Sequence, residues 1–176
     1  ILKKQNMSCN GICDGSIRVS AVAGAGAPYK YVWLNPSGDS DSLATGLCAD
    51  IYTVQAEDKD GCKQLRNITI IEPLPLSITA TIKDISCNGK TDGNIIANVS
   101  GGNIPYTYNW STSPSIDSLV TGLSTGSYTV TVTDITLCTL SSVFTIKEPS
   151  SLTLKLSNTP VTCPAGSDGI AMVTGS

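Results

Sequence analysis

Between residues 76 and 82 apolar and polar side chains alternate, so Leu76, Ile78, Ala80 and Ile82 share one face of an extended strand. The same period of two returns over Asn94–Val99, where Ile95, Ala97 and Val99 point one way. It returns again over Ser127–Thr133, with Tyr128, Val130 and Val132 inward and threonines outward. Tyr106–Trp110 predicts a further strand, Ser118–Val120 a short edge strand, and Val143–Ile146 a closing one. Cys87–Gly93 reads as a turn-rich loop, and Gly101-Gly102 breaks the chain between strands. No long stretch carries a helical period.

The pattern occurs more than once. Cys9-Asn10-Gly11-Ile12-Cys13-Asp14-Gly15 is followed by Cys87-Asn88-Gly89-Lys90-Thr91-Asp92-Gly93, and then by Cys163-Pro164-Ala165-Gly166-Ser167-Asp168-Gly169. The steps are 78 residues (87 − 9) and 76 residues (163 − 87). Downstream, Pro28-Tyr29-Lys30-Tyr31-Val32-Trp33 matches Pro105-Tyr106-Thr107-Tyr108-Asn109-Trp110. Asp41-Ser42-Leu43 matches Asp117-Ser118-Leu119, and Gly46-Leu47 matches Gly122-Leu123. Tyr52-Thr53-Val54 matches Tyr128-Thr129-Val130, Cys62 matches Cys138, and Glu72-Pro73 matches Glu148-Pro149. Ordered matches at a near-constant step divide the chain into one repeat over 1–73, its opening strand shortened, a second over 74–149, and the start of a third over 150–176. With six or seven short strands per unit and turns at regular intervals, each complete repeat predicts a small Ig-like, Greek-key β-sandwich, so the fold class is all-β. Glu-Pro closes each unit and the next strand follows almost at once, which favours a semi-rigid rod over flexibly linked beads.

Composition removes several function classes. The net charge of -3 and the scattered Lys and Arg give no electrostatic footprint for nucleic acid. No apolar run is long enough to span a bilayer. The chain lacks an initial Met and starts inside a strand, which reads as an internal piece of a longer protein. There is no His, so mixed Cys/His metal sites are excluded and no cofactor is expected. An enzyme is not expected either: no Ser or Lys nucleophile has a recognisable base, and no carboxylate pair faces another across a cleft.

Seven cysteines in a chain of this size point to disulfides in an oxidising compartment. Within the second repeat only Cys87 and Cys138 are available, so a Cys87–Cys138 bridge is expected, and Cys9–Cys62 by analogy. Cys13 and Cys48 are replaced together, by Thr91 and Ser124, as a Cys13–Cys48 bridge particular to the first copy would require. Cys163 is then left unpaired because its repeat is cut short.

The string Cys-Asn-Gly-x-x-Asp-Gly, Gly-Gly-x-x-Pro-Tyr-x-Tyr-x-Trp, Gly-Leu-x-x-Gly-x-Tyr-Thr-Val-x-x-x-Asp-x-x-x-Cys and Ile-x-Glu-Pro resembles the SprB repeat of large cell-surface adhesins of gliding Bacteroidetes. It rests on Cys87, Asn88, Gly89, Asp92, Gly93, Pro105, Tyr106, Tyr108, Trp110, Gly122, Leu123, Tyr128, Asp134, Cys138 and Pro149, and on most of their equivalents in the first copy. Pro164-Ala165 in the third copy and the extra cysteines in the first depart from it. The resemblance implies an exported, extracellular or cell-surface protein, a cargo of type IX secretion displayed as a filament. Its function would be a structural and adhesive repeat array serving gliding motility or attachment. Its partners would be neighbouring repeats, other copies in a filament, and polysaccharide or solid surfaces. A carbohydrate-binding module beside a secreted enzyme is the alternative.

Each singled-out residue also has a plainer reading. Tyr29, Tyr31 and Trp33, with Tyr106, Tyr108 and Trp110, could stack on sugar rings, but a recurring trio on one strand face reads better as core. Tyr52 and Tyr128 resemble the tyrosine corner of Greek-key sandwiches. Asp14, Asp92 and Asp168 precede glycine and suggest Asx turns with the glycine at positive φ. Asp58 and Asp60 are weak calcium candidates. Asp-Ser-Leu resembles a Bacteroidetes O-glycosylation signal, which makes Ser42 and Ser118 candidate glycan sites; an edge strand guarded by its Asp is the plainer reading.

Overall fold

A computed structural model describes residues 2–35, 41–111, 115–160 and 170–175. Fourteen strands form among them and no helix. The first copy contributes β1 (Leu2–Gln5), β2 (Gly15–Val19), β3 (Lys30–Asn35), β4 (Leu43–Leu47), β5 (Asp50–Glu57) and β6 (Lys63–Ile70). The second contributes β7 (Ser77–Lys83), β8 (Gly93–Ser100), β9 (Tyr106–Trp110), β10 (Leu119–Leu123), β11 (Gly126–Asp134) and β12 (Thr139–Ile146). Then follow β13 (Leu154–Thr159) and β14 (Ile170–Gly175), an antiparallel pair whose described side chains are all exposed.

Each six-strand unit makes two three-stranded antiparallel sheets. In the first copy the orders are β1-β2-β4 and β3-β5-β6; in the second they are β10-β8-β7 and β12-β11-β9. The alternation read from the sequence explains the burial. Along β11 every second residue from Tyr128 to Asp134 is buried, and the intervening threonines lean outward. Ile95, Ala97, Val120 and Leu123 from one sheet meet Trp110, Tyr128, Val130, Val132 and Ile146 from the other. The first copy builds its own core from Met7, Ile17, Trp33, Ala44, Leu47, Tyr52, Val54, Ile68 and Ile70.

The repeated motifs have local causes. Trp33 Nε1 donates to the Asp41 carbonyl at 2.9 Å, and Trp110 Nε1 to the Asp117 carbonyl at 3.0 Å. The buried indole therefore finds its partner in the backbone of the Asp-Ser-Leu segment. The Ser42 and Ser118 carbonyls accept from Val19 and Ala97 N–H, both at 2.8 Å. Tyr52 and Tyr128 are buried, and their hydroxyls donate to the carbonyls of Cys48 and Ser124, each at 2.9 Å. Tyr31, Tyr106 and Tyr108 are half-buried and pack against the cores. Tyr29 is half-buried outside the first core cluster, its hydroxyl donating to the Ala23 carbonyl at 2.8 Å.

One expectation about glycine needs correcting. Gly11 and Gly89 take positive φ, but Gly15 and Gly93 do not. Those two begin β2 and β8 in a crowded place. A Cβ on Gly15 would lie 2.8 Å from the Leu47 carbonyl oxygen and 2.9 Å from Ile70 Cγ2. The Asp-Gly glycine is required by close approach of two strands, and its conformation is ordinary.

The joint between repeats as candidate functional site

The loop after β1 is tied to the exit of its own repeat. Asn10 Nδ2 donates to the Pro73 carbonyl at 3.1 Å, the Gly11 N–H reaches Glu72 Oε2 at 3.1 Å, and Met7 N–H reaches the Ile71 carbonyl. Asp14 closes the loop by accepting from Ser8 N–H at 2.8 Å and from the Ser8 hydroxyl. These bonds hold its carboxyl below the usual range. Ser86, Asp92, Asn88, Gly89, Pro149 and Glu148 repeat the arrangement in the second copy, with Asp92 likewise lowered.

Cys62 and Cys138 sit in the turns between the last two strands of their repeats. Asp134 organises the turn of Cys138. Its Oδ1 accepts from Thr136 N–H and Cys138 N–H, and its Oδ2 from Asn103 N–H, all at 2.9 Å. Burial pushes this carboxyl up, but the donors outweigh it and its pKa is lowered. In the first copy Asp58 accepts from Ala25, Asp60 and Cys62 N–H. Both Asp58 oxygens are thus engaged by backbone, and Asp60 is exposed beside Lys59. This gives Asp58 a turn-anchoring role.

The disulfide pattern overturns two sequence expectations. Cys9 is bonded to Cys138, joining the two repeats. Cys9–Cys62 and Cys87–Cys138 do not form, and Cys62 and Cys87 are exposed free thiols. The physical reason is distance along a strand. Cys9 lies beside Ile71–Pro73, where β6 ends, whereas Cys62 precedes Lys63, where β6 begins. Eight residues of strand set them roughly 27 Å apart, far beyond the ~7 Å Cα limit for a bridge. The second copy has the same geometry across β12. Cys13 and Cys48 are bonded within the first copy. Cys163 and Asp168 lie outside the described residues.

More than the bridge crosses the joint. The Ser8 carbonyl of the first copy accepts from Asn103 Nδ2 of the second at 3.1 Å. The Thr136 hydroxyl lies 3.0 Å from the same carbonyl and 2.8 Å from Asp134 Oδ1, so its single proton serves one of the two. The connecting Leu74 carbonyl accepts from Gly102 N–H at 2.7 Å. A Cβ on Gly101 would strike the Pro75 carbonyl oxygen at 1.9 Å, so the linker lies flat on the Gly-Gly turn. Ile12, Pro73, Leu76 and Leu137 line a cleft of about 390 Å³ beside the bridge. Sequence reasoning missed this joint because it sought cysteine partners inside each unit. The available signal was that Cys62 and Cys138 open the strand leading to Glu-Pro, while the Cys-Asn-Gly loop comes at the start of a unit.

A second cleft, of about 350 Å³, opens at the hairpin end of the first copy between Val19, Ala21, Tyr31, Ala56 and Gln64. In the second copy Ile78, Val99, Tyr108 and Val132 pack in the corresponding region. Burial and the Asp50 carboxylate push the Tyr52 phenol up, so it stays protonated at neutral pH. Among the described residues no helix is long and apolar enough to cross a membrane, and no cluster of three His, Cys, Asp or Glu forms.

The SprB repeat family matches the chain twice, over residues 2–38 and over residues 79–115. Each match runs from the opening strand through the Pro-Tyr-x-Tyr-x-Trp strand, so Cys9 and Cys87 fall within it and Cys62 and Cys138 outside. No curated protein matches the chain. SprB repeats occur in the repeat regions of cell-surface proteins of the Bacteroidetes type, and the two disulfides agree with an extracellular location.

Proposed function

We propose that this chain, carrying two SprB repeats in tandem, is a stretch of a stiff structural and adhesive array on a Bacteroidetes cell surface. In this reading it is non-catalytic, carried out by type IX secretion and used in gliding or attachment. The observation that carries it is the Cys9–Cys138 bridge, which locks one repeat to the next beside a hydrogen-bonded linker. Such a joint transmits force and fixes orientation, so identical faces recur at a constant spacing. Weak contacts per repeat then add up through multivalency. We read each unit as a small Ig-like Greek-key sandwich, since the chain crosses between its two sheets on passing from β2 to β3, β3 to β4 and β4 to β5. Ser42 and Ser118 stay half-exposed and remain candidate O-glycan sites; the intact mass of the native protein tests them.

Two measurements test the proposal. Small-angle scattering on chains with increasing numbers of repeats should give a length rising linearly with number; a square-root rise would reject the stiff stalk. Binding of the same series to polysaccharide-coated and bare solid surfaces should strengthen more steeply than in proportion to repeat number. Binding that is absent, or that stays flat with number, would reject the adhesive role.

A further inference from the structure

Among the described residues two thiols are left free, at positions equivalent to the two bonded across the joint. Cys87 is the counterpart of Cys9, and Cys62 the counterpart of Cys138. Their surroundings are already set for bonding. The loop of Cys87 carries the same contacts as the loop of Cys9: Ser86 on Asp92, Asn88 on the Pro149 carbonyl, and Gly89 N–H on Glu148. The turn of Cys62 is shaped by Asp58 as that of Cys138 is by Asp134. Each thiol is one preorganised half of the joint seen between the two copies.

We infer that Cys62 and Cys87 are the outward halves of a disulfide ladder running along the array. Cys62 bonds the Cys-Asn-Gly cysteine of a preceding repeat, and Cys87 bonds the hairpin cysteine of a following one. The inference rests on the array reading, since it requires a unit on each side. Each rung forms by thiol–disulfide exchange with a disulfide-bearing oxidant of the export compartment. One protein thiolate attacks the oxidant's S–S bond to give a mixed disulfide. The second thiolate displaces the oxidant as a dithiol, which keeps both electrons and gains the two protons.

The ladder has a mechanical consequence. The covalent path through this chain enters at Cys62 and leaves at Cys87, 25 residues later (87 − 62). It spans two repeats, because each rung skips one unit. Fully extended, 25 residues reach about 85 Å, so with its rung the array can lengthen to only about 45 Å per repeat even if every sandwich unfolds. An unbridged repeat of 76 residues would reach about 260 Å. The ladder thus caps extension about sixfold, close to the length of the folded unit, whose longest strands alone cover roughly 30 Å.

The joints are not identical. Asn103 and Thr136, which face the Ser8 carbonyl, have Ala25 and Asp60 as counterparts in the first copy. The joint at Cys62 therefore keeps the rung without those side-chain donors.

The test is non-reducing peptide mapping of the full-length protein from cells, alkylated before digestion. The expected result is the Cys62 peptide linked to a Cys-Asn-Gly peptide of the preceding repeat, and the Cys87 peptide linked to a hairpin peptide of the following one. Alkylated free thiols at both positions, or links Cys9–Cys62 and Cys87–Cys138, would overturn the ladder while leaving the array intact. Links from Cys62 or Cys87 to another chain would overturn it in favour of lateral cross-linking. A parent sequence without flanking repeats would instead sink the array reading itself. Single-molecule pulling gives an independent readout: about 45 Å per repeat under oxidising conditions, rising about sixfold in reductant. Equal extension in both would also overturn the ladder.

Discussion

At the hairpin end of the sandwich the second copy packs Val99 and Val132 where the first has Ala21 and Ala56, while Leu140, the counterpart of Gln64, lines the cleft at the joint. The cleft in the first copy lies there, and it also spans the place taken in the second by Ile78, whose counterpart position (78 − 78 = 0) falls before Ile1. At the opposite end it carries the Cys13–Cys48 bridge, where the second has Thr91 and Ser124. The magnitudes are comparable. Two valines shortened to alanine forgo four carbons, about 3 kcal/mol at roughly 0.8 kcal/mol per buried carbon. Closing a 35-residue separation contributes about 4 kcal/mol in the chain-entropy model. At the positions both copies possess, the first thus gains by constraining the unfolded chain and the second by larger side chains in the core.

The largest test of that contrast removes the bridge. Cys13→Ala with Cys48→Ala should destabilise the first repeat by about 4 kcal/mol and leave the second unchanged. Hydrogen exchange read by mass spectrometry separates the two: amides of β2–β6 should lose protection while those of β8–β12 keep theirs. Equal loss in both copies would show that the repeats unfold as one unit and that the contrast is not local.

The next test exchanges the packing. Val130 and Val132 are both fully buried, and Val132→Ala should cost the second repeat about 2–3 kcal/mol by opening the cleft that the first already has. The reciprocal Ala56→Val should raise the first repeat by about 1 kcal/mol, because the open cleft can accept two carbons without strain. Urea unfolding of each variant gives both values. A destabilising Ala56→Val would mean that the cleft is already closed in solution.

Much of this was legible in the residues. The period of two placed the strands, with Tyr106–Trp110 matching β9 end for end, and the paired tryptophans and tyrosines marked the core strands. Joint loss of Cys13 and Cys48 in the second copy pointed to their pairing because both thiols lie in one unit. The rung between repeats was hidden for a topological reason. Alternation tells which face a residue occupies, but not which end of the sandwich a loop reaches. Only the register of β6 against β5, together with the docking of Asn10 on Pro73, puts Cys9 and Cys62 at opposite ends. The role of the Asp-Ser-Leu segment was similarly opaque, since the carbonyl it offers to the indole is a backbone contact without a side-chain signature.

A smaller effect is expected at the joint. Leu137 adopts φ 70° where the first copy has Gly61 at φ 85°. A left-handed conformation costs a branched residue about 1–2 kcal/mol, and Leu137 is 79% exposed, so it recovers little by burial. Leu137→Gly should therefore stabilise the second repeat by about 1 kcal/mol, visible as a higher Tm. Gly61→Leu should lower the first by a similar amount. If Leu137→Gly instead loosened the joint, measured as faster exchange of the Asn103 and Thr136 amides, the leucine would be packing against a neighbour across the cleft.

The smallest shift concerns acid. Asp14, Asp58, Asp92 and Asp134 all have carboxyl pKa values lowered from 3.8 in the folded chain, the first three mainly through hydrogen bonds they accept and Asp134 through donors that outweigh its burial. A lowered folded value means that the unfolded chain binds protons first as pH falls. The stabilisation is then complete well above 3.8 and is lost below it, as pH drops through the folded values. Asp134 is the buried member and holds three backbone N–H donors, from Asn103, Thr136 and Cys138, with the Thr136 hydroxyl 2.8 Å from its Oδ1, whereas Asp58 holds three backbone N–H groups and is half-exposed. The second repeat should accordingly lose more Tm than the first between about pH 6 and about pH 3. Asp134→Asn should flatten that difference, because an amide oxygen can still accept from Cys138 N–H but has no proton to gain. Equal acid sensitivity in the two copies, persisting in the Asp134→Asn variant, would place the titrating group in the shared loop carboxylates Asp14 and Asp92.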